Sequence, residues 1–72
     1  MYRKVKTYNQ IKLESGSITK PIISLEDEYG GKAHVVMDDK RYVLVLKHNQ
    51  NREEVYRPTY WWLPEAIKAL NL

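Results

Sequence analysis

The side chains able to do chemistry are few, and their spacing is not that of a catalytic centre. The chain has no cysteine, so thiol nucleophiles, thiolate metal sites and disulfides are excluded. Ser15, Ser17 and Ser24 lack the glycine-flanked strand-to-helix elbow that presents a serine nucleophile. His34 and His48 stand alone, with no partner at the spacing of a zinc site. His34 sits between Ala33 and Val35 and reads as packed or half-exposed; His48 opens a polar stretch. Glu26-Asp27-Glu28 offers hard oxygen ligands without the alternating, glycine-punctuated spacing of a calcium loop, and reads as a solvated turn. Asp38-Asp39 also reads as a turn, neutralised locally by Lys40 and Arg41. Catalytic residues, metals and cofactors are therefore not expected, and neither is an enzyme.

Two constellations suit binding instead. The first is basic and aromatic: Tyr2, Arg3, Lys4, Lys6, Tyr8 and Lys12, in a segment of 13 residues without an acid. In an extended strand Tyr2, Lys4, Lys6, Tyr8 and Lys12 would project from one face. Lysines there could neutralise phosphates, and tyrosine rings could stack on bases. The plainer reading is an edge strand that lysines guard against edge-to-edge pairing. A net charge of only +3 favours the plainer reading over nucleic acid.

The second constellation is Tyr56, Tyr60, Trp61 and Trp62. Tyr and Trp are the residues most often found at interface hot spots. Adjacent Trp61 and Trp62 would point to opposite faces of a strand, so one fits beneath a covering element and the other in a contact surface. The plainer reading places both in the core of a domain that has no Phe.

The elements that must hold these residues read as mostly β. Residues 32–36 and 41–47 form a hairpin around the turn formers of Met37-Asp38-Asp39-Lys40. Both faces of 42–46 are apolar, as in a strand covered on both sides. A polar loop over 48–53 leads to a strand at 54–57, which Pro58 marks as an edge or interrupts, and residues 59–62 could resume it after a bend. The imperfect alternation of 2–13 suggests one long or bent strand ending at the turn Ser15-Gly16-Ser17. A second strand covers 18–25, with Pro21 marking an edge or bend, and a turn is favoured over a helical turn near 25–30. At the C-terminal end Pro64 suits a first helical position. Leu63, Ala66, Ile67 and Leu70 then make one apolar stripe, with Glu65, Lys68 and Asn71 opposite.

The sum is one domain over 1–72 of mostly β (α+β) class: about five short antiparallel strands in a small barrel or twisted sheet, with a short C-terminal helix. The order of elements resembles that of SH3-like barrels carrying a C-terminal helix, the layout of the small basic DNA-binding chromatin proteins of thermophilic archaea. The likeness is of element order alone and carries over no binding residue. Residues 1–13 lack the apolar run of a signal peptide, and the runs 42–46 and 60–63 fall far short of a membrane span of about 20 residues. With no cysteine, a reducing cytoplasmic setting is expected, with no membrane partner. At 72 residues the apolar core is small, so self-association as a homodimer would supply needed burial. The expected function is a small non-enzymatic protein-binding module, adaptor or stoichiometric inhibitor acting through the aromatic surface. The alternative is a small basic nucleic-acid-binding protein using the N-terminal Lys/Tyr face. In size and composition the chain is like the small accessory proteins of mobile elements.

Overall fold

The computed structural model describes residues 2–59, together with Pro64 and Lys68. Its strands are β1 (Arg3–Val5), β2 (Ile11–Lys12), β3 (Ile18–Thr19), β4 (Ile23–Glu26), β5 (Lys32–Asp38), β6 (Arg41–Gln50) and β7 (Glu53–Thr59). Five of them form an antiparallel sheet in the order β1-β4-β5-β6-β7, and β2 and β3 form a separate antiparallel pair. The class is mostly β, as the sequence implies. In the larger sheet β1 and β7 are the terminal strands, and Leu13, just after β2, bridges to Tyr56 of β7. The expected C-terminal helix falls outside the described residues, apart from the isolated positions Pro64 and Lys68.

The β5–β6–β7 meander forms where β-branched and aromatic residues are densest. Its two turns have two residues each, with both residues left-handed: Asp39 (φ 48°) and Lys40 (φ 67°), then Asn51 (φ 51°) and Arg52 (φ 67°). This is the hairpin turn whose twist matches that of the flanking strands. The second turn corrects the expected loop over 48–53. His48, Asn49 and Gln50 continue β6 and pair with Val55, Glu54 and Glu53. A tight turn needs only Asn51 and Arg52, so the polar residues before it stay in register. Pro58 lies within β7, an edge strand where its missing N–H leaves no ladder bond broken.

The first half departs further from expectation. Residues 2–13 do not form one strand: β1 ends at Val5, and pairing resumes only at Ile11. Residues 18–25 likewise split into β3 and β4, with Pro21 in the break. The turn at 15–17 is as expected and uses Gly16 at φ +92°, where the Gly16 N–H donates to the Leu13 carbonyl at 2.9 Å. Between β4 and β5 the turn wins over the helix. Asp27 Oδ1 accepts from the N–H groups of Tyr29 at 2.9 Å and Gly31 at 2.6 Å, so the side chain satisfies backbone donors that a helix would otherwise need.

Register sorts the side chains onto two faces. Ile23, Leu25, Ala33, Val35 and Leu44 share the front face. Ser24, His34, Val36, Val43, Val45 and Tyr56 share the back. The segment from Tyr8 through β3 covers the back face, with Ile11 buried against Val36, Val43, Val45 and Tyr56 and with Tyr8 and Leu13 partly buried beside them. A backbone hydrogen bond from Glu14 to the Tyr56 carbonyl (2.9 Å) and the Arg57–Glu14 ion pair (3.1 Å) fasten this cover to β7. Each fully buried Val or Leu contributes roughly 1.5–3 kcal/mol by leaving water, so having core on both faces suits so short a chain.

Candidate functional site

The sequence-derived basic constellation does not form one face. Tyr2 packs on the front cluster and Tyr8 on the back one. Lys4 pairs with Leu25 and so takes the front side, while Arg3 pairs with Glu26 and takes the back. Lys6 is exposed beyond the end of β1, and Lys12 is exposed on β2, in the layer above the sheet. The break at 6–10 is the cause, because the chain leaves the sheet edge there and crosses over the back face. Of the aromatic constellation, Tyr56 is only 4% exposed and belongs to the back-face core. Tyr60, Trp61 and Trp62 lie outside the described residues.

A polar centre that sequence spacing does not reveal lies beneath the cover. Ser24 and His34 are register partners on β4 and β5, and neither reaches solvent. Ser24 Oγ lies 2.7 Å from His34 Nδ1 and accepts the Tyr8 backbone N–H at 3.0 Å. With the hydroxyl accepting from Tyr8 and donating to Nδ1, the neutral imidazole carries its proton on Nε2. Among the described residues neither Nε2 nor the Tyr56 hydroxyl has a hydrogen-bond partner. The imidazole is held edge-on between two rings, with Tyr8 at 4.8 Å and Tyr56 at 4.6 Å between centroids. Burial first, and the Lys32 ammonium second, hold the His34 pKa down to about 4.

Charges ring the open end of this centre. The Lys32 ammonium lies 5.5 Å from the Tyr8 ring centroid. Glu54 pairs with Lys47 at 3.2 Å and Lys32 at 3.8 Å, which ties together β5, β6 and β7. Those two lysines, Lys47 foremost, hold the Glu54 carboxyl below its usual range. Burial raises the Tyr56 hydroxyl, helped by the Glu54 charge. A serine hydroxyl on a histidine nitrogen is the geometry of an activated nucleophile. Here both groups are closed off from solvent, so the pair acts as a tie between the sheet and its cover.

The opposite end of the back face is open. A cleft of about 460 Å³ lies between the β2–β3 pair and the tips of β5 and β6. Leu13, Thr19, Val36, Val43 and Pro58 line it. Ile18 borders it and is 64% exposed, unusual for a large apolar residue; Met37 also touches it but, as the register partner of Tyr42, carries its side chain on the front side. Pro58 lies one residue before Thr59, so the chain runs on into Tyr60-Trp61-Trp62 from this same end. Among the described residues no group of three acidic, histidine or cysteine side chains could hold a metal, and no helix is long and apolar enough to cross a membrane.

Comparison with known proteins matched the chain to no family model, no curated protein and no solved structure. The site therefore rests on its own geometry. Sequence reading missed the Ser24–His34 pair because ten positions along the chain separate a partnership that only register creates. The one signal was a polar residue at an inward position within each apolar strand. The cleft left fainter traces, in Ile18 beside a turn and Met37 before one.

Proposed function

We propose that the chain is a small protein-binding module that contacts its partner with the cleft end of the molecule. The observation that carries this reading is the cleft of about 460 Å³ lined by Leu13, Val36, Val43 and Pro58 and bordered by exposed Ile18, at the end from which the chain continues into the aromatic run. Apolar side chains left in water beside a concave surface are the usual mark of a contact site. Tyr and Trp close by in sequence supply hot-spot residue types. Nucleic acid has less support, because its expected contacts are divided between two faces of the sheet.

A random peptide library displayed against the immobilised protein tests this reading. Apolar peptides should be selected, and the Ile18→Lys protein should bind them at least about tenfold more weakly. The Ile18 side chain is exposed, so the variant's thermal midpoint should stay near that of the parent. Equal binding by the folded variant, or no selection at all, would count against the cleft. Binding of a mixed-sequence oligonucleotide that Lys4→Glu with Lys6→Glu abolishes would favour nucleic acid instead.

We also infer a short helix over residues 63–71. Leu63, Ala66, Ile67 and Leu70 recur at helical spacing, and Pro64 has the fixed φ of a first helical turn.

A further inference from the structure

Among the described residues, the outer edge of β3 carries no neighbouring strand. β3 pairs with β2 alone, and Leu13, just after β2, bridges to Tyr56 of β7, so the open edge of this layer is that of β3. The phase of the ladder says what the edge presents. The Leu13 N–H donates to the Ser17 carbonyl at 2.8 Å, and Ile11 pairs with Thr19 two residues further along. Along an antiparallel strand, backbone groups turn alternately towards the partner and away from it. Ser17 and Thr19 therefore face β2, and Ile18 directs its N–H and C=O to the open side. Backbone groups left open in this way are a template for another strand.

The side chains at the edge divide between two sides. Thr19 pairs with buried Ile11 and takes the inner side, in the lining of the cleft. Ile18 pairs with Lys12 and shares its outer side, where it is 64% exposed. Lys20, two residues after Ile18, has the same parity. Lys12 and Lys20 are both exposed, and among the described residues neither forms an ion pair with an acid. The open edge thus has an apolar side chain between two unpaired ammonium groups on its outer side. On its inner side is a cleft lined by Val36, Val43 and Pro58.

We propose that the partner binds by adding an extended strand to the β3 edge, and that this strand is apolar at its centre and acidic at its ends. The proposal deepens the cleft reading above and rests on it. Main-chain hydrogen bonds to Ile18 supply affinity, and alternate side chains supply selectivity. The residue opposite Ile18 meets it on the outer side, and its two neighbours enter the cleft. A carboxylate two positions from the centre reaches Lys20. Opposite charges across a ladder stabilise it and like charges destabilise it, so an acidic end is accepted and a basic end refused.

The probe is a capped pentapeptide of three valines between two glutamates, titrated into isotope-labelled protein and followed by NMR. The Ile18 amide should shift, and its hydrogen exchange should slow. The counterpart flanked by lysines should bind about fivefold more weakly, and Lys20→Glu should reverse the preference. The glutamate peptide N-methylated at its valines cannot donate to a ladder and should lose binding. Equal binding of the N-methylated peptide would overturn strand addition and leave the cleft reading standing. Equal affinity for the glutamate and lysine peptides would overturn the acidic assignment. If the glutamate peptide does not bind while the library above still yields apolar peptides, the proposal alone fails; if neither binds, the cleft reading fails with it. A protein that light scattering finds dimeric, with the Ile18 amide protected before any peptide is added, would overturn the proposal in favour of a second copy on this edge.

Discussion

Ser24 and His34 face each other across the β4–β5 pair, Oγ to Nδ1 at 2.7 Å, and the same oxygen takes the backbone N–H of Tyr8. One hydroxyl thus joins two neighbouring strands to the segment that crosses above them. The pair gives the back face a specificity that interchangeable valines could not, since a shift of register by one residue would leave three polar groups unsatisfied.

The first prediction concerns acid. His34 has its pKa lowered from 6.5 to about 4 in the folded chain. The unfolded chain therefore takes up a proton that the folded chain refuses as pH falls below about 6.5. The stability owed to neutral His34 is complete above that value and is lost as pH falls towards about 4. The loss amounts to about 3 kcal/mol, from the width of that window. Urea denaturation at pH 7 and pH 4 measures it. In His34→Phe, this part of the pH dependence should vanish. The groups that face the ring are Ser24, Tyr8, Tyr56 and Lys32, with Lys47 and Glu54 beyond. Glu54 ionises below its ordinary value of 4.5, so its own contribution begins to fade as pH falls past that value, and the comparison with His34→Phe separates the two.

Ser24→Ala should destabilise by roughly 2–4 kcal/mol, because it leaves the Tyr8 N–H and His34 Nδ1 both buried and unpartnered. Hydrogen exchange at Tyr8 should speed up more than exchange at Val45, as the cover loosens before the sheet. Equal acceleration at both amides would mean that the tie is not local.

The two hairpin turns carry strain that glycine would relieve. Lys40 and Arg52 sit at φ 67° in the position where this turn type favours Gly. Lys40→Gly and Arg52→Gly should each stabilise by about 0.5–1 kcal/mol, the left-handed penalty less the added chain entropy of Gly. The turns lie at opposite ends of β6, so the double variant should show the sum of the two effects in thermal unfolding.

The meander was legible in the sequence because its residues have strong β preference and its partners are neighbours along the chain. Val43 to Val45 read as covered on both sides, and they are buried. The first half was less legible for a physical reason. Val5, Ile11 and Leu13 have similar apolar character but belong to three settings: a sheet edge, the cover, and the seam along Tyr56. Alternation shows which way a side chain points, not which layer the strand joins. Tyr56 illustrates the same limit. Its residue type suits an interface, and only the crossing of Tyr8 and Ile11 above it makes it core.

The crossing of the N-terminal segment over the back face has a consequence for synthesis. This segment leaves the ribosome before its bed, which is built from β5, β6 and β7. Ile11 and Leu13 find their neighbour Tyr56 only after 40 or so further residues have been made, which takes on the order of seconds at 5–20 residues per second. Until then this segment has nothing to settle on, and the later strands must pair before the earlier one can dock.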